Sequence, residues 1–153
     1  MRWPFSKSDR KLEIPPIETQ QWTVAQANDG GQPLLVRINE SVRRLAGHPG
    51  LPIKLGFAIP LNQPREGGLP DAHENEQLGA IEDLLVARVL RSGPGVFALA
   101  LTNGVMKEYV FYVASGLDIA ALHAEVQQRV SSHEVQCMAI EDPTWESYRD
   151  FSP

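Results

Sequence analysis

The dipeptide Asn103-Gly104 lies between two strongly apolar stretches and constrains the fold more than any other feature of the chain. Residues 96–101 before it are all apolar, and in residues 105–113 after it both alternating sets of side chains are largely apolar. Asn-Gly between such stretches is a strong signal for a β-hairpin, because both residues tolerate positive φ angles. Strands covered on only one face alternate between polar and apolar residues. We therefore predict a central hairpin in a sheet that is covered on both faces.

Patterns on either side of this hairpin predict the element order β-α-β-β-α-β from residue 52 onwards. Residues 52–61 are a strand candidate. Asp71 and Glu74 form a capping box, in which Asp71 caps a helix with an apolar face and Glu74 reaches back. After the hairpin, residues 119–130 repeat a helical apolar pattern and residues 135–140 form a last strand. The order is that of a ferredoxin-like unit, an α+β fold with two helices on one face of an antiparallel sheet.

The N-terminal part predicts a tail and a β-hairpin ahead of this unit. Residues 22–27 and 33–38 are strand candidates, and the turn residues Asn-Asp-Gly-Gly at 28–31 join them. Residues 1–20 combine basic residues, two aromatic residues and a Pro-Pro pair without periodicity, so we expect a mobile N-terminal tail. The rest of the chain, residues 21–153, is then a single α+β domain.

The last twelve residues predict a short helix with an aromatic side. Asp142 is a good N-cap, and Pro143 suits the first helical position, where no amide is needed. Trp145, Tyr148 and Phe151 recur every third residue and therefore share one side of such a helix. Two interpretations are open: a clasp that closes the core, or an edge that docks a partner together with Arg149. The second rests on the enrichment of Trp, Tyr and Arg at binding hot spots.

The cover of the second face of the sheet is also open at this point. Two helices can cover one face, and the other face needs a different cover. The N-terminal hairpin, the segment around Trp145 and a second subunit are the three candidates. A homodimer through the sheet is therefore one interpretation of the doubly apolar strands.

The sequence Asp-Pro-Thr-Trp-Glu-Ser-Tyr at 142–148 resembles the ending of a bacterial family known only as domain of unknown function six-nine-five. Gly-Leu-Pro at 68–70, Leu-x-x-Ile-Glu-Asp at 78–83 and Thr-Asn-Gly at 102–104 are similar to other motifs of that family, in the same order. The resemblance covers roughly residues 21–153 and implies no catalytic residues. Members are sometimes joined to a domain resembling an acidic regulator of RNA degradation, which implies a regulatory role by analogy alone.

Composition and charge exclude several classes of protein. A hydrophobic content of 42% and a charged content of 22% are typical of a soluble globular protein. No stretch approaches the ~18 apolar residues that cross a membrane, and the first residues lack the apolar segment of a secretory signal. The single cysteine fits a reducing compartment, so we expect a cytoplasmic location. The net charge of −5 argues against nucleic acid as a partner and in favour of a basic protein.

Motifs that carry chemistry are incomplete in this chain. His73-Glu74 resembles the start of a zinc-binding His-Glu-x-x-His helix, but Gln77 stands where the second histidine should be. Cys137 belongs to a strand pattern, and the sequence places no activating partner next to it. Glu82 lies at the border of the buried helix face, where a carboxylate usually pairs with Lys or Arg of a neighbouring strand. We predict no catalytic residue, no metal and no cofactor.

The function predicted is a non-enzymatic, acidic protein-binding module of the inhibitor or regulator type, with a basic protein as partner. Five acidic residues lie between positions 71 and 83, with no Lys or Arg before Arg88. The residues predicted to bind the partner are Glu76, Glu82, Asp83, Trp145, Tyr148 and Arg149. The alternative is a small-ligand-binding protein or enzyme. Its pocket would lie between the loop 62–70 and the first helix, and its polar groups would be Arg65, Glu66, His73 and Glu76.

Overall fold

In the computed structural model, which describes residues 10–152, six strands form one antiparallel sheet. The strands are β1 (Trp22–Asp29), β2 (Gln32–Asn39), β3 (Ile53–Pro60), β4 (Gly95–Thr102), β5 (Met106–Val113) and β6 (Gln136–Glu141). The helices are α1 (Ala72–Ser92), α2 (Ile119–Arg129) and α3 (Glu146–Phe151), with 3-10 helices at Ile17–Thr19 and Glu40–Leu45. The α+β class with an antiparallel sheet is confirmed.

The lateral order of the strands is β1-β2-β4-β5-β3-β6. The sheet as a whole does not have the order of a four-stranded ferredoxin-like sheet, because β1 and β2 extend it beyond β4. The predicted ferredoxin-like topology treats the N-terminal hairpin as separate from the sheet. In the structure, β2 pairs with β4 from Leu35 opposite Thr102 to Ile38 opposite Leu99. This pairing satisfies the backbone groups on the outer side of β4, which would otherwise form an open edge. The hairpin therefore extends the sheet.

The central hairpin forms, but the reason given for its glycine is wrong. Neither Asn103 nor Gly104 has a positive φ angle. The Asn103 side chain accepts hydrogen bonds from the amides of Val105 and Met106, both at 2.9 Å, and so holds the turn. A Cβ atom on Gly104 would lie 1.9 Å from the carbonyl oxygen of Arg65. Glycine is thus required for the close approach of the loop 62–70.

Helices α1 and α2 cover one side of the sheet, which we call the helix face. Asp71 caps α1 by accepting from the Glu74 amide at 2.8 Å. The predicted apolar stripe of α1 is confirmed, because all four of its residues are buried: Leu78, Ile81, Leu85 and Val89. They pack with Leu122 and Val126 of α2 in one core cluster, which also contains aromatic side chains of β3, β4 and β5.

The other side of the sheet, which we call the opposite face, is covered by the 3-10 helix Glu40–Leu45 and by residues 142–152. Trp145 stacks on Tyr112 of β5, with ring centroids 4.1 Å apart and planes 13° apart. Tyr148 meets the Trp145 ring edge-on at 5.4 Å. Of the three candidate covers, the Trp145 segment therefore forms the main one over β2, β4 and β5.

The C-terminal helix begins later than predicted. The N-cap residue is Trp145 and not Asp142, but the Asp142 carboxylate does accept from the Glu146 amide at 2.9 Å. Pro143 is not the first helical residue, because it lies in a turn and α3 begins at Glu146. Trp145 takes the left-handed conformation, with φ 58° and ψ 43°, which is rare for a bulky residue. This conformation turns the chain so that the indole lies flat on the sheet.

The described part of the predicted tail, residues 10–20, runs along the domain. Arg44 donates to the Glu13 carbonyl at 3.1 Å, and the His48 ring bonds the Arg10 carbonyl at 3.0 Å. The short 3-10 helix then leads into β1. Residues 1–9 of the predicted tail lie outside the described residues. The division into a tail and one domain stays a prediction.

Candidate functional site

The structure does not bring the six predicted binding residues together. Glu76, Glu82 and Asp83 belong to α1 on the helix face, whereas Trp145, Tyr148 and Arg149 belong to the segment on the opposite face. The sheet lies between the two groups. The six residues therefore do not form one continuous surface, and a role of α1 in partner binding stays a prediction.

Trp145 and Tyr148 form a clasp and do not present a docking edge. Both side chains have an exposed fraction of 0%. The Trp145 indole donates to the Leu51 carbonyl at 2.9 Å, and the Tyr148 hydroxyl donates to the Asn39 carbonyl at 2.7 Å. Their apolar surface and their polar atoms are therefore occupied by contacts within the domain and cannot contact a partner. Only Arg149 is exposed, and it donates to a backbone carbonyl of the same chain.

A groove opens on the helix face where the sheet extends beyond α1. We call it the N-terminal groove, because the segment 14–20 and the start of β1 form one of its walls and α1 forms the other. Its volume is about 440 Å³. Its apolar walls are made by Ile14, Ile17, Trp22, Val86, Leu90 and Phe97. The groove exists because the added hairpin widens the sheet, while only α1 and α2 cover this face.

An ion pair between β2 and α1 lies in this groove. Arg37 donates to both carboxylate oxygens of Glu82, at 3.5 Å on one side and more closely on the other. The guanidinium lies 5.4 Å from the centre of the Trp22 ring and 6.0 Å from that of Phe97, so aromatic faces also stabilise it. The expected pairing of Glu82 with a basic residue of a strand is confirmed. Asp83, the next residue, is exposed at the rim.

The ion pair affects one further cation on the sheet. Burial lowers the pKa of Lys107, and the positive charge of Arg37 lowers it further, while Glu82 acts in the opposite direction. The Lys107 ammonium lies 5.5 Å from the centre of the Tyr109 ring. In the groove itself the charge of Arg37 is therefore balanced by Glu82, which leaves Asp83 as the lining residue whose charge has no ion-pair partner in the described part of the chain.

A buried pair of Glu74 and His133 was not predicted. Glu74 does not reach back to its own helix start, as the capping box requires. Its carboxylate accepts from the amides of Asn62 at 2.6 Å and Gln63 at 3.1 Å, and it contacts His133 Nε2 at 2.6 Å. Burial opposes ionisation of Glu74, but these hydrogen bonds outweigh it and lower its pKa. No local pattern indicates the pair, because its members are 59 residues apart.

This pair positions chain segments and is not open to a substrate. The side chain of His133 is 0% exposed and that of Glu74 is 3% exposed. The three contacts tie the start of the loop 62–70 and the turn after α2 to the first turn of α1. A general acid or base must reach the reacting group, and neither of these side chains does so.

The alternative pocket between the loop 62–70 and α1 is not formed as predicted. Arg65 and Glu66 line a shallow cavity of about 720 Å³ between that loop and the β1–β2 hairpin. His73 and Glu76, the other two polar residues of the alternative, are exposed on α1 and do not line it. The four polar residues of the alternative therefore do not line one cavity together.

Other candidate chemistry is weak in the described part of the chain. Burial raises the pKa of the Cys137 thiol to about 11, which is opposite to the shift of an activated cysteine. Within residues 10–152, no three His, Cys, Asp or Glu side chains cluster as metal ligands do. Nor does any helix in this range have the length and apolar character needed to span a membrane.

The family comparison matches most of the chain. The model of a family of unknown function, DUF695, matches residues 20–152. The chain belongs to this family. The matched DUF695 region includes Trp22, Arg37 and Glu82 of the groove, while Ile14 and Ile17 of its outer wall precede it. No curated protein and no solved structure matches the chain.

Proposed function

We propose that this DUF695 domain is a non-catalytic protein-binding module whose N-terminal groove takes a partner segment with an apolar side chain next to basic residues. The observation that carries the proposal is the combination, in one groove, of open apolar walls and an acidic rim.

The apolar part of the proposal rests on side chains that remain exposed. Ile17 is 55% exposed and Ile14 is 37% exposed, and both stand beside the aromatic wall of Trp22 and Phe97. A partner side chain in this groove would remove these surfaces from water, which is the main favourable contribution to most protein association. Trp and Arg are also enriched among residues that dominate binding energy.

The acidic part of the proposal rests on Glu76 and Asp83. They are seven residues apart, about two helical turns, so they share one side of α1. Both are exposed, and Asp83 lies at the groove. The Glu82 charge is neutralised by Arg37, and the Glu74 carboxylate is buried. The two exposed carboxylates, one at the groove and one two turns away along α1, favour basic partners and speed their association.

A non-catalytic role is supported by the state of the charged groups in the groove. Arg37 and Glu82 hold one another in an ion pair across β2 and α1, so neither is free to transfer protons. We also propose that the module acts as a regulator in the cytoplasm. A small ligand in the cavity beside Arg65 and Glu66 is the second candidate function, with the volume of that cavity as its support.

Selection from a displayed peptide library against the purified chain tests the proposal. We expect enriched peptides to combine basic residues with a large apolar residue, and their binding to weaken at higher salt. Asp83→Lys should weaken binding about tenfold, and Ala87→Trp, which fills the groove from an exposed helix position, should abolish it. Asp150→Lys makes the same charge change on the opposite face and should have no effect. Enrichment of no peptide, or equal loss in the control, would overturn the proposal.

A further inference from the structure

We propose that two copies of this chain pair through their β6 strands and join their sheets into one continuous sheet. The proposal concerns the edge of the sheet farthest from the N-terminal groove and does not depend on the groove. It rests on the direction of the β6 backbone, on a self-complementary register and on exposed apolar side chains.

The outer side of β6 carries backbone groups with no partner strand among the described residues. β6 is the last strand of the sheet and pairs there with β3 alone. Asp142 donates to the Pro52 carbonyl at 2.9 Å, which places a hydrogen-bonded pair at this position of the β3–β6 register. Such pairs alternate in antiparallel ladders, so Met138 and Ile140 also bond towards β3. The residues whose N–H and C=O point outward are Cys137, Ala139 and Glu141.

A second copy of β6 fits this outer side with a twofold axis at Ala139. Ala139 then lies opposite Ala139 of the second copy, in a hydrogen-bonded pair. Met138 lies opposite Ile140 of the second copy, and Ile140 lies opposite Met138, in the closer type of pair. This is the reciprocal contact that a twofold interface requires. Cross-strand apolar pairs of this kind stabilise sheets, and no like charges face one another within the strand.

The Met138 and Ile140 side chains of these pairs are exposed to solvent in the single chain. Met138 is 62% exposed and Ile140 is 44% exposed. They stand on the opposite face beside Gly56 and Ala58 of β3, around a shallow cavity of about 190 Å³. The C-terminal segment covers β2, β4 and β5 on this face but does not extend to Met138 and Ile140. Apolar side chains on an uncovered strand edge mark an interaction surface.

The other edge of the sheet does not offer the same match. On β1, Val24 is as exposed as Met138, at 62%. Its neighbours on the same face are Trp22, which lies in the N-terminal groove, and the polar Gln26, so Val24 is the one large apolar side chain that β1 exposes in the described residues, against two on β6. Residues 136–141 of β6 contain no Pro, Lys or Arg, the residues that commonly protect edges. The difference favours a second copy at β6 over general edge pairing.

Light scattering after size exclusion, over a concentration series of the full chain, tests the dimer. We expect the mass to rise from monomer towards dimer with concentration. Met138→Lys with Ile140→Lys should hold the chain monomeric at every concentration, while Val24→Lys, the matched exposed position on β1, should leave the dimer unchanged. A wild-type chain that stays monomeric would overturn the proposal, as would equal loss of the dimer in the Val24→Lys control.

Cross-linking tests the register separately. In a Cys137→Ala background, Ala139→Cys places one thiol per chain on the twofold axis, where Cα atoms about 5.5 Å apart allow a disulfide. Mild oxidation should give a covalent dimer for this variant and none for Val24→Cys in the same background. Failure of Ala139→Cys to cross-link faster than Val24→Cys would overturn the β6 register.

Discussion

The two faces of the sheet are covered by different means. The helix face is covered by aliphatic stripes of α1 and α2, in which Leu85, Val89 and Val126 are fully buried. The opposite face is covered by a 3-10 helix, a turn and the short helix α3, which bring aromatic rings with polar atoms onto the sheet. Long helices satisfy most of their own backbone groups, whereas turns and short helices leave polar atoms that must each find a partner. The opposite face therefore depends on the hydrogen-bonded aromatics Trp145, Tyr148 and Tyr112, while the helix face depends mainly on aliphatic contacts of α1 and α2.

Truncation of the principal aromatic on the opposite face should have the largest effect. Trp145→Ala removes the stack on Tyr112 and the bond to Leu51, and we expect a loss of about 4 kcal/mol in the free energy of unfolding. Leu85→Ala on the helix face, with no polar atom to lose, should cost about 3 kcal/mol. Urea unfolding of both variants measures the difference. A Trp145→Ala cost below that of Leu85→Ala would contradict the comparison.

Removal of one hydroxyl on each face makes a closer comparison. Tyr112 donates to the buried carboxylate of Asp142 at 2.7 Å, whereas Tyr109 on the helix face donates to the Leu78 carbonyl at 2.7 Å. A hydrogen bond to a charged group contributes more than one between neutral groups. We expect Tyr112→Phe to cost about 2 kcal/mol and Tyr109→Phe about 1 kcal/mol. If urea unfolding gave the same loss of stability for both variants, the charge of Asp142 would add nothing to the Tyr112 hydrogen bond.

Acid should weaken both covers through two carboxylates. Burial opposes ionisation of Asp142, but hydrogen bonds from Tyr112 and the amides of α3 outweigh it and lower its pKa, as happens for Glu74 on the helix side. A carboxylate whose pKa is lower in the folded chain contributes its full stabilisation above the unfolded pKa of about 4. This stabilisation is lost as the pH falls through the pKa of the folded state. We expect stability to fall below about pH 4. Glu74→Gln and Asp142→Asn should each flatten this decline, measured by urea unfolding at each pH.

The parts of the fold that were predictable are those set by neighbours in sequence. The stripe of α1, the turn at Asn103 and the order of elements from residue 52 all follow from local periodicity and turn chemistry. The hydrogen bonding of Asp142 to the first amides of α3 was predicted, but the left-handed Trp145 at which α3 begins was not, because its ring packs on a residue distant in sequence, Tyr112. Local rules are reliable where the local environment determines the backbone.

The candidate site was less predictable, because distant segments build it. The pairing of Glu82 with a strand residue follows from its border position on α1, but Arg37 could not be chosen without the lateral order of the strands. The groove depends on where the hairpin extends the sheet, and Glu74 pairs with a histidine on a distant turn. These contacts join residues that are distant in sequence, so they can be identified only once the tertiary fold is known.

The smallest expected change in stability concerns β6, the strand at one edge of the sheet. Cys137 faces α2 on the helix face, and its neighbour Met138 faces solvent on the opposite face. With a pKa of about 11, on the order of one thousandth of the Cys137 thiol is ionised at pH 8, against roughly a quarter of an ordinary thiol. We expect iodoacetamide to label the native chain about a hundredfold more slowly than the urea-unfolded chain, and Cys137→Ala to change stability by less than about 1 kcal/mol. If the native chain were labelled at the unfolded rate, α2 would not cover β6. The cover of the helix face would then end at β3, as the cover of the opposite face does.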